Sequence, residues 1–300
     1  MVEKRIGDIR IVGYSLAGEE TVLAVPELNI CFDPGRAPPE IIPIDNLCLS
    51  HGHMDHAAGV AYYLSQRGFV GNAPGRVIVH RQLAQHVQRL MSVWADLEGH
   101  HSPGVIAGVV GGDEVLLRRN LVLRVFDVVH SYGSLGFAVV EKRHKLKAEY
   151  TDLTGPQLVE LKKRGVDIHN HVEKPLIAYC GDTAVGDFLD LEHVRNAEII
   201  LLECTFFIAE HVSRARAGRH IHVRDLVDVL GRLNNPNVVL THLTRRTSLR
   251  EAKAILDNSI SPEDRKRVSI LMDRPRRSPG SSRMRHNSEM RNPPGLSAES

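Results

Sequence analysis

The sequence has few cysteines, no CxxC pair and no long hydrophobic run. Its four cysteines are widely scattered, which is typical of buried, reduced thiols in the cytosol and not of a disulfide framework. No stretch approaches the roughly 18 consecutive apolar residues that a membrane span requires. The N-terminal residues also lead into no apolar segment of the kind that secretory signals contain. These absences predict a cytoplasmic protein that makes no contact with a membrane.

A strongly basic character is also missing from most of the chain. The formal net charge is +2, but the segment 274–300 contains six arginines and only two glutamates, so residues 1–273 carry a net charge of −2. This balance excludes a uniformly basic nucleic-acid module. The final segment is rich in Pro, Arg, Ser and Asn, whereas the whole chain, at 42% hydrophobic residues, has a globular composition. We expect one folded domain over residues 1–273 and a disordered tail over residues 274–300.

Short apolar runs separated by Gly and Pro predict β-strands in both halves of this domain. The predicted strands cover residues 9–12, 21–25, 28–32, 47–49, 115–117, 121–129, 136–140, 176–180, 199–202 and 238–241. Helices are predicted over 83–97, where an apolar stripe that includes Trp94 is expected to face the core, and over 157–164 and 223–233. This alternation indicates an α/β (α+β) sandwich of two mixed sheets flanked by helices.

Histidine is the residue present in excess, with 17 copies. Three of them and an aspartate lie within six residues, directly after an apolar strand, in the segment Ser50-His51-Gly52-His53-Met54-Asp55-His56. Imidazole and carboxylate groups are ligands that zinc and similar divalent ions accept. A bend in this segment would direct two of these side chains to one metal ion and two to a second.

Three later strands end in further candidate ligands. His130, Asp182 and His242 each follow an apolar run. A metal site at one edge of a sandwich draws its ligands from the ends of several strands, so we expect these residues to join the first cluster. Together the seven groups suffice for two ions that share Asp182 as a bridge.

The order of these motifs resembles the signature of the metallo-β-lactamase fold hydrolases. That signature is an HxHxDH segment, then a strand-end His, then Gly-Asp-Thr (here Gly181-Asp182-Thr183), and then a final strand-end His. Further motifs narrow the resemblance, namely Phe32-Asp33-Pro34-Gly35-Arg36, the segment 145–166, Glu203-Cys204-Thr205-Phe206 and Arg219-His220-Ile221-His222. Over residues 11–272 the chain is similar to the short-form, plant-type ribonuclease Z (tRNase Z). The resemblance implies the αβ/βα sandwich of that superfamily and an endonuclease that removes the 3′ trailer of precursor tRNA.

The resemblance also implies roles for individual residues. His51, His53 and His130 would hold one zinc ion, and Asp55, His56 and His242 a second, with Asp182 bridging the two. Asp55 is similar to the family's general base, and Glu203 with His220 matches the pair that protonates the leaving 3′ oxygen. Manganese or iron would be alternatives to zinc. A homodimer is also implied, because these enzymes position tRNA on one subunit and cut it on the other.

The sequence departs from the family pattern after His242. Thr244 and Arg246 retain a hydroxyl and a guanidinium as candidate phosphate contacts, but the family's tyrosine is absent. This departure and the acidic domain leave open a hydrolase of the same fold that acts on a small phosphodiester or another ester. A metal-free binding or scaffold protein is a third possibility. The basic residues between Lys142 and Arg164 suit contacts to a tRNA backbone, although such a run is also typical of a solvated surface.

Overall fold

Two seven-stranded sheets face each other in the computed structural model, which describes residues 1–273. The tail predicted over residues 274–300 lies outside the described residues. The first sheet contains, in spatial and chain order, β1 (Val2–Ile6), β2 (Ile9–Leu16), β3 (Glu20–Val25), β4 (Ile30–Pro34), β5 (Asn46–Leu49), β6 (Gly75–His80) and β7 (Gly104–Val109). The second contains, likewise in order, β8 (Glu114–Arg118), β9 (Leu121–Asp127), β10 (Leu135–Leu146), β11 (His169–Tyr179), β12 (Ile199–Glu203), β13 (Asn237–Thr241) and β14 (Val268–Ile270).

Both sheets have the same mixed topology. The first four strands of each sheet pair antiparallel, and the fourth strand and the three that follow it pair parallel. Parallel pairing requires crossover connections, which place helices on the faces of a sheet. It also brings the C-terminal ends of β11, β12 and β13 to one edge of the second sheet, next to the end of β5 in the first.

Helices cover the outer faces of both sheets. The helices of the described chain are α1 (Met54–Ala57), α2 (Val60–Phe69), α3 (Arg81–Glu98), α4 (Gly155–Lys163), α5 (Glu192–Arg195), α6 (Val212–Gly218), α7 (Leu226–Arg232), α8 (Leu249–Ser259) and α9 (Pro262–Arg267). Of these, α4 buries no residue against either sheet. The inner faces of the sheets share a core in which Phe32 packs against Phe137 and Tyr179. Two further cores lie beneath the helices of the first and second sheets. The predicted sandwich of two mixed sheets flanked by helices is confirmed.

The core position predicted for Trp94 on the helix over residues 83–97 is wrong. The helix exists as α3, but Trp94 is 43% exposed and Leu97 is 70% exposed. The face that packs on the first sheet is formed by Ala84 and Val87, with Leu83 and Met91 partly buried against the same core. The start of the predicted stripe thus faces the core, whereas its end, at Trp94 and Leu97, faces solvent. No described helix is long and apolar enough to cross a bilayer.

Two other predicted elements differ in extent. Residues 223–233 form a 3₁₀ turn followed by α7 and not one continuous helix. β10 and β11 are longer than predicted, because beyond the last residue that pairs with β9 they continue as a two-stranded arm. This arm, residues 142–173, includes α4 between its two strands, and two of its basic residues, Lys142 and Arg143, form ion pairs with glutamates.

Candidate active site

The seven predicted ligands lie together where strand ends of the two sheets meet. The loop after β5 supplies His51 and His53, and α1 supplies Asp55 and His56. His130, Asp182 and His242 follow β9, β11 and β13. Two groups have ligand atoms within 4.8 Å of one another, namely His51, His53, His130 and Asp182, and Asp55, His56 and His242. The clusters expected from the sequence are thus adjacent in space.

Asp182 lies at the centre of the cluster. Its Oδ2 atom is 3.2 Å from Nε2 of His242 and 3.3 Å from Nε2 of His56. The Nε2 atoms of His51 and His130 lie 3.8 Å away. Four imidazoles therefore present the same ring nitrogen to one carboxylate.

Each of these four imidazoles is oriented through its other ring nitrogen. Nδ1 contacts a polar oxygen in every case: Asp33 Oδ2 for His56 (2.8 Å), Thr205 Oγ1 for His242 (2.9 Å), Ser50 Oγ for His51 (3.0 Å) and the Arg219 carbonyl for His130 (3.3 Å). Partners of this kind fix the tautomer and direction of metal-binding histidines. The backbone at His242 is also left-handed, with φ 58°, and its N–H donates to Ser15 Oγ at 2.8 Å.

Asp33 organises the site, although no role was predicted for it from the sequence. Its carboxylate is fully buried and accepts hydrogen bonds from the backbone N–H and the hydroxyl of Ser50, each at 2.7 Å. It also accepts from the Tyr179 hydroxyl at 2.6 Å and contacts His56 at 2.8 Å. The signal was an aspartate inside the otherwise apolar strand β4. A buried carboxylate in such a strand needs partners, and here they include a candidate ligand.

The cluster fits divalent metal ions. The Nε2 atoms of His51, His56 and His242 and the Oδ1 atom of Asp182 are buried without a hydrogen-bond partner. Leaving such atoms unpaired is costly, whereas a cation would satisfy all of them. Once their protons are lost, imidazole nitrogens join carboxylate oxygens in the donor set that zinc and similar borderline ions take. These residues are therefore able to bind metal.

The charges of the cluster support this assignment. Burial raises the pKa of Asp182, but His242 and His56 outweigh burial and hold that pKa well below its usual range. Burial likewise raises the pKa of Asp55, while the hydrogen bond with His242 and the charge of His56 bring it to a net value below the usual range. Both carboxylates are thus ionised at neutral pH, which is the form that binds a cation.

Glu203 and His220 form a hydrogen-bonded pair beside the cluster. His220 Nδ1 lies 2.7 Å from Oε1 of the fully buried Glu203. The same carboxylate accepts hydrogen bonds from the Thr183 and Ile221 N–H groups and from the Thr205 hydroxyl. Burial lowers the pKa of His220, but Glu203 outweighs burial, and the net pKa is raised.

His220 lies in the link between α6, which ends at Gly218, and the 3₁₀ turn that begins at Val223. Arg219, in the left-handed region with φ 54°, ends α6 and turns the chain so that His220 faces the cluster. A ligand atom of His220 lies within 4.8 Å of ligand atoms of Asp182 and His242.

His222 has a local structural contact at each ring nitrogen. Nε2 lies 2.9 Å from the Ile208 carbonyl, and Nδ1 accepts the Arg224 N–H at 3.1 Å. The contact at Nδ1 caps the 3₁₀ turn over residues 223–225. Of the two histidines in the Arg219–His222 motif, only His220 faces the carboxylates of the cluster.

A cleft of about 380 Å³ opens over the cluster. Thr244 and Arg246, the predicted phosphate contacts, line it, and the Thr244 hydroxyl accepts the Arg246 N–H at 3.3 Å. Phe206 and Arg214 also line the cleft, although no role was predicted for either. Arg214 lies on α6, a helix that the apolar pattern did not indicate. The cleft thus combines a metal-binding floor with a cationic and aromatic rim.

Comparison with known proteins agrees with this geometry. Residues 18–243 match the family model described as the β-lactamase superfamily domain. The chain is 32% identical to tRNase Z TRZ1 of Arabidopsis thaliana over 80% of this chain and 87% of that protein. It is 30% identical to the chloroplastic tRNase Z TRZ2 of the same plant over 84% of this chain and 73% of that protein. The metallo-β-lactamase fold protein YhfI of Bacillus subtilis, at 13% identity, superposes with a TM-score of 0.59 over 87% of this chain and 94% of its own.

Proposed function

The chain belongs to the tRNase Z family of the β-lactamase superfamily, and from this membership we propose that it is an endoribonuclease that removes the 3′ trailer of precursor tRNA. One observation carries the proposal, namely the carboxylate of Asp182 surrounded by four imidazole Nε2 atoms at 3.2–3.8 Å. The Glu203–His220 pair beside it supplies a proton donor, as a phosphodiesterase requires. The plant relatives named tRNase Z support the substrate.

We assign the cluster to two divalent ions, with zinc as the first choice and manganese or iron as alternatives. His51, His53 and His130 would hold one ion, and Asp55, His56 and His242 the other, with Asp182 between them. Bound ions would offset charge on the phosphoryl oxygens and make water acidic enough to ionise near neutral pH.

The side chains around the cluster position the substrate and move protons. Asp55, fixed by the Gly18 N–H at 2.8 Å, orients or deprotonates the attacking water. Thr244 and Arg246 contact the scissile phosphate from the rim of the cleft. As the bond from phosphorus to the 3′ oxygen breaks, His220 gives the proton on Nε2 to that oxygen, while Glu203 holds Nδ1. The products are a 3′ hydroxyl on the tRNA and a 5′ phosphate on the trailer.

We propose that the active enzyme is a cytoplasmic homodimer and that its catalytic domain spans residues 1–273. The exposed apolar side chains of α2 and α3 and of edge strand β7 support the dimer, since monomers rarely expose a large apolar face. They include Phe69 at 85%, Leu97 at 70% and Val105 at 53% exposure.

We further propose that the exposed basic residues 162–164 at the end of α4 contact the tRNA backbone.

Cleavage of a 3′-extended precursor tRNA beside bis(p-nitrophenyl) phosphate tests the function. We expect a single cut near the acceptor stem, loss of cutting with a chelator, and recovery on addition of zinc. Mature tRNA that ends at the cut site serves as the control and stays intact. A metal-replete preparation that hydrolyses only the small diester would contradict the proposal and indicate a small-ester hydrolase of the same fold.

A further inference from the structure

A second cavity borders His220. It measures about 180 Å³, and its walls include Arg216, Arg224, Asp225 and His220 itself. The cleft over the metal-binding cluster is lined by His220 as well, so this residue borders both cavities. We call the second cavity the Arg216 pocket. No role assigned above uses it.

Helix geometry explains why both cavities are cationic. Arg214 and Arg216 are two residues apart on α6, and an α-helix turns by about 100° per residue, so they point in nearly opposite directions. Arg214 accordingly lines the metal cleft, and Arg216 lines the Arg216 pocket. One helix therefore contributes an arginine to each of the two cavities that His220 borders.

The electrostatics of the Arg216 pocket favour an anion. Among the residues that the structure describes, no carboxylate forms an ion pair with Arg216 or Arg224, and both side chains are exposed. Asp225 is the acidic group in the pocket wall, and its Oδ2 accepts the His222 N–H at 3.1 Å. The backbone N–H of Arg224 donates to His222 Nδ1, which fixes the chain at this arginine. Two guanidinium groups without a carboxylate partner, at the wall of one cavity, suit a phosphate.

The direction of proton transfer identifies which phosphate this is. His220 protonates the 3′ oxygen, and that oxygen stays on the nucleotide upstream of the cut. The upstream nucleotide must therefore lie against His220, with the trailer on the side of the metal-binding cluster. Resting on the proposed function, we propose that Arg216 and Arg224 bind the backbone phosphate immediately upstream of the scissile one. The Arg216 pocket thereby sets the polarity of the RNA across the site.

Charge removal on both partners tests this assignment. Three variants of the full-length holoenzyme are made: Arg216→Gln, Arg224→Gln and the double variant. The matched control is Arg119→Gln, which changes an arginine on an exposed turn between β8 and β9. Substrates are a 3′-extended precursor tRNA, the same RNA with a neutral methylphosphonate one linkage upstream or downstream of the cut, and bis(p-nitrophenyl) phosphate. We expect kcat/KM on the native precursor to fall about ten-fold per arginine, mostly through KM. Turnover of the small diester should not change.

The neutral linkages make the result specific. With the upstream methylphosphonate, wild type and the double variant should cleave equally, because the charge that the arginines bind is gone. The salt dependence of log KM should also become shallower by about 0.7 for the double variant on native RNA. Full activity of the double variant on native RNA, or an effect cancelled by the downstream linkage instead, would overturn the inference and leave the proposed function intact. Wild-type enzyme that cuts no precursor but hydrolyses the small diester would overturn both.

Discussion

Replacing His220 by alanine separates proton donation from metal binding more sharply than any other single change. The substitution removes the only imidazole hydrogen-bonded to Glu203 among the described residues. Glu203 keeps three other donors, the N–H groups of Thr183 and Ile221 and the hydroxyl of Thr205. The buried carboxylate therefore stays paired, and we expect the free energy of unfolding to fall by only about 1–2 kcal/mol.

The effect on catalysis should depend on the leaving group. A positioned general acid contributes about 10²- to 10⁴-fold when the leaving oxygen is a poor one, as a ribose 3′ oxygen is. Nitrophenolate is a stable anion that leaves without a proton. His220→Ala should therefore slow precursor cleavage by about 10²- to 10⁴-fold and slow bis(p-nitrophenyl) phosphate hydrolysis much less. Single-turnover rates on both substrates, with metal content measured on the same samples, give the comparison.

The matched control is His222→Asn, in the same motif and two residues away. His222 caps a turn, and asparagine is a good capping residue, so small-diester turnover should persist with at most a modest loss of stability. Equal losses on both substrates for His220→Ala would refute the role of proton donor. Loss of metal from that variant would instead make His220 a ligand, which its position near Asp182 and His242 permits.

Three further changes test other parts of the account. Asp33→Asn should weaken zinc affinity about 10- to 100-fold, measured by competition with a chelator, because it alters the contact that orients His56. Unchanged zinc affinity would contradict this role of Asp33. Gly218→Ala would place a Cβ 2.8 Å from Cδ2 of His220 and crowd the imidazole ring. We therefore expect slower precursor cleavage, while metal content and small-diester turnover are retained. Wild-type rates on RNA would show that the ring does not need this space. Trp94→Glu should convert a dimer to monomers in sedimentation equilibrium, and a wild-type monomer would already rule out the dimer.

The metal-binding cluster could be predicted from the sequence because its members follow buried strands. Strand ends in a parallel arrangement converge at one sheet edge, so the order of residues along the chain is enough to group His130, Asp182 and His242 with the HxHxDH segment. The strands were predictable for a related reason. Those buried on both faces are continuously apolar, and β2, which alternates buried and half-buried residues, has one face in the core.

Features that depend on packing were not predictable. The stripe that includes Trp94 has helical periodicity, but periodicity does not reveal how far along the helix a neighbouring sheet covers it. The sheet covers Val87 and leaves Trp94 in solvent. Helix α6 is short and arginine-rich and has no apolar stripe, so the apolar pattern predicts neither the helix nor a role for Arg214 and Arg216. Asp33 is separated from His56 by 23 residues, and only the folded chain shows their contact.

The central claim is tested most directly by comparing wild type with Asp182→Asn. Both proteins are assayed for cleavage of one 3′-extended precursor tRNA, and the metal content of both is determined. Asp182 contacts four of the candidate ligands, so the variant should lose metal and cutting together. Wild type should retain metal and release a single product with a 3′ hydroxyl. A metal-loaded wild type that leaves the precursor intact, or an Asp182→Asn variant that cuts as well as wild type, would contradict the account.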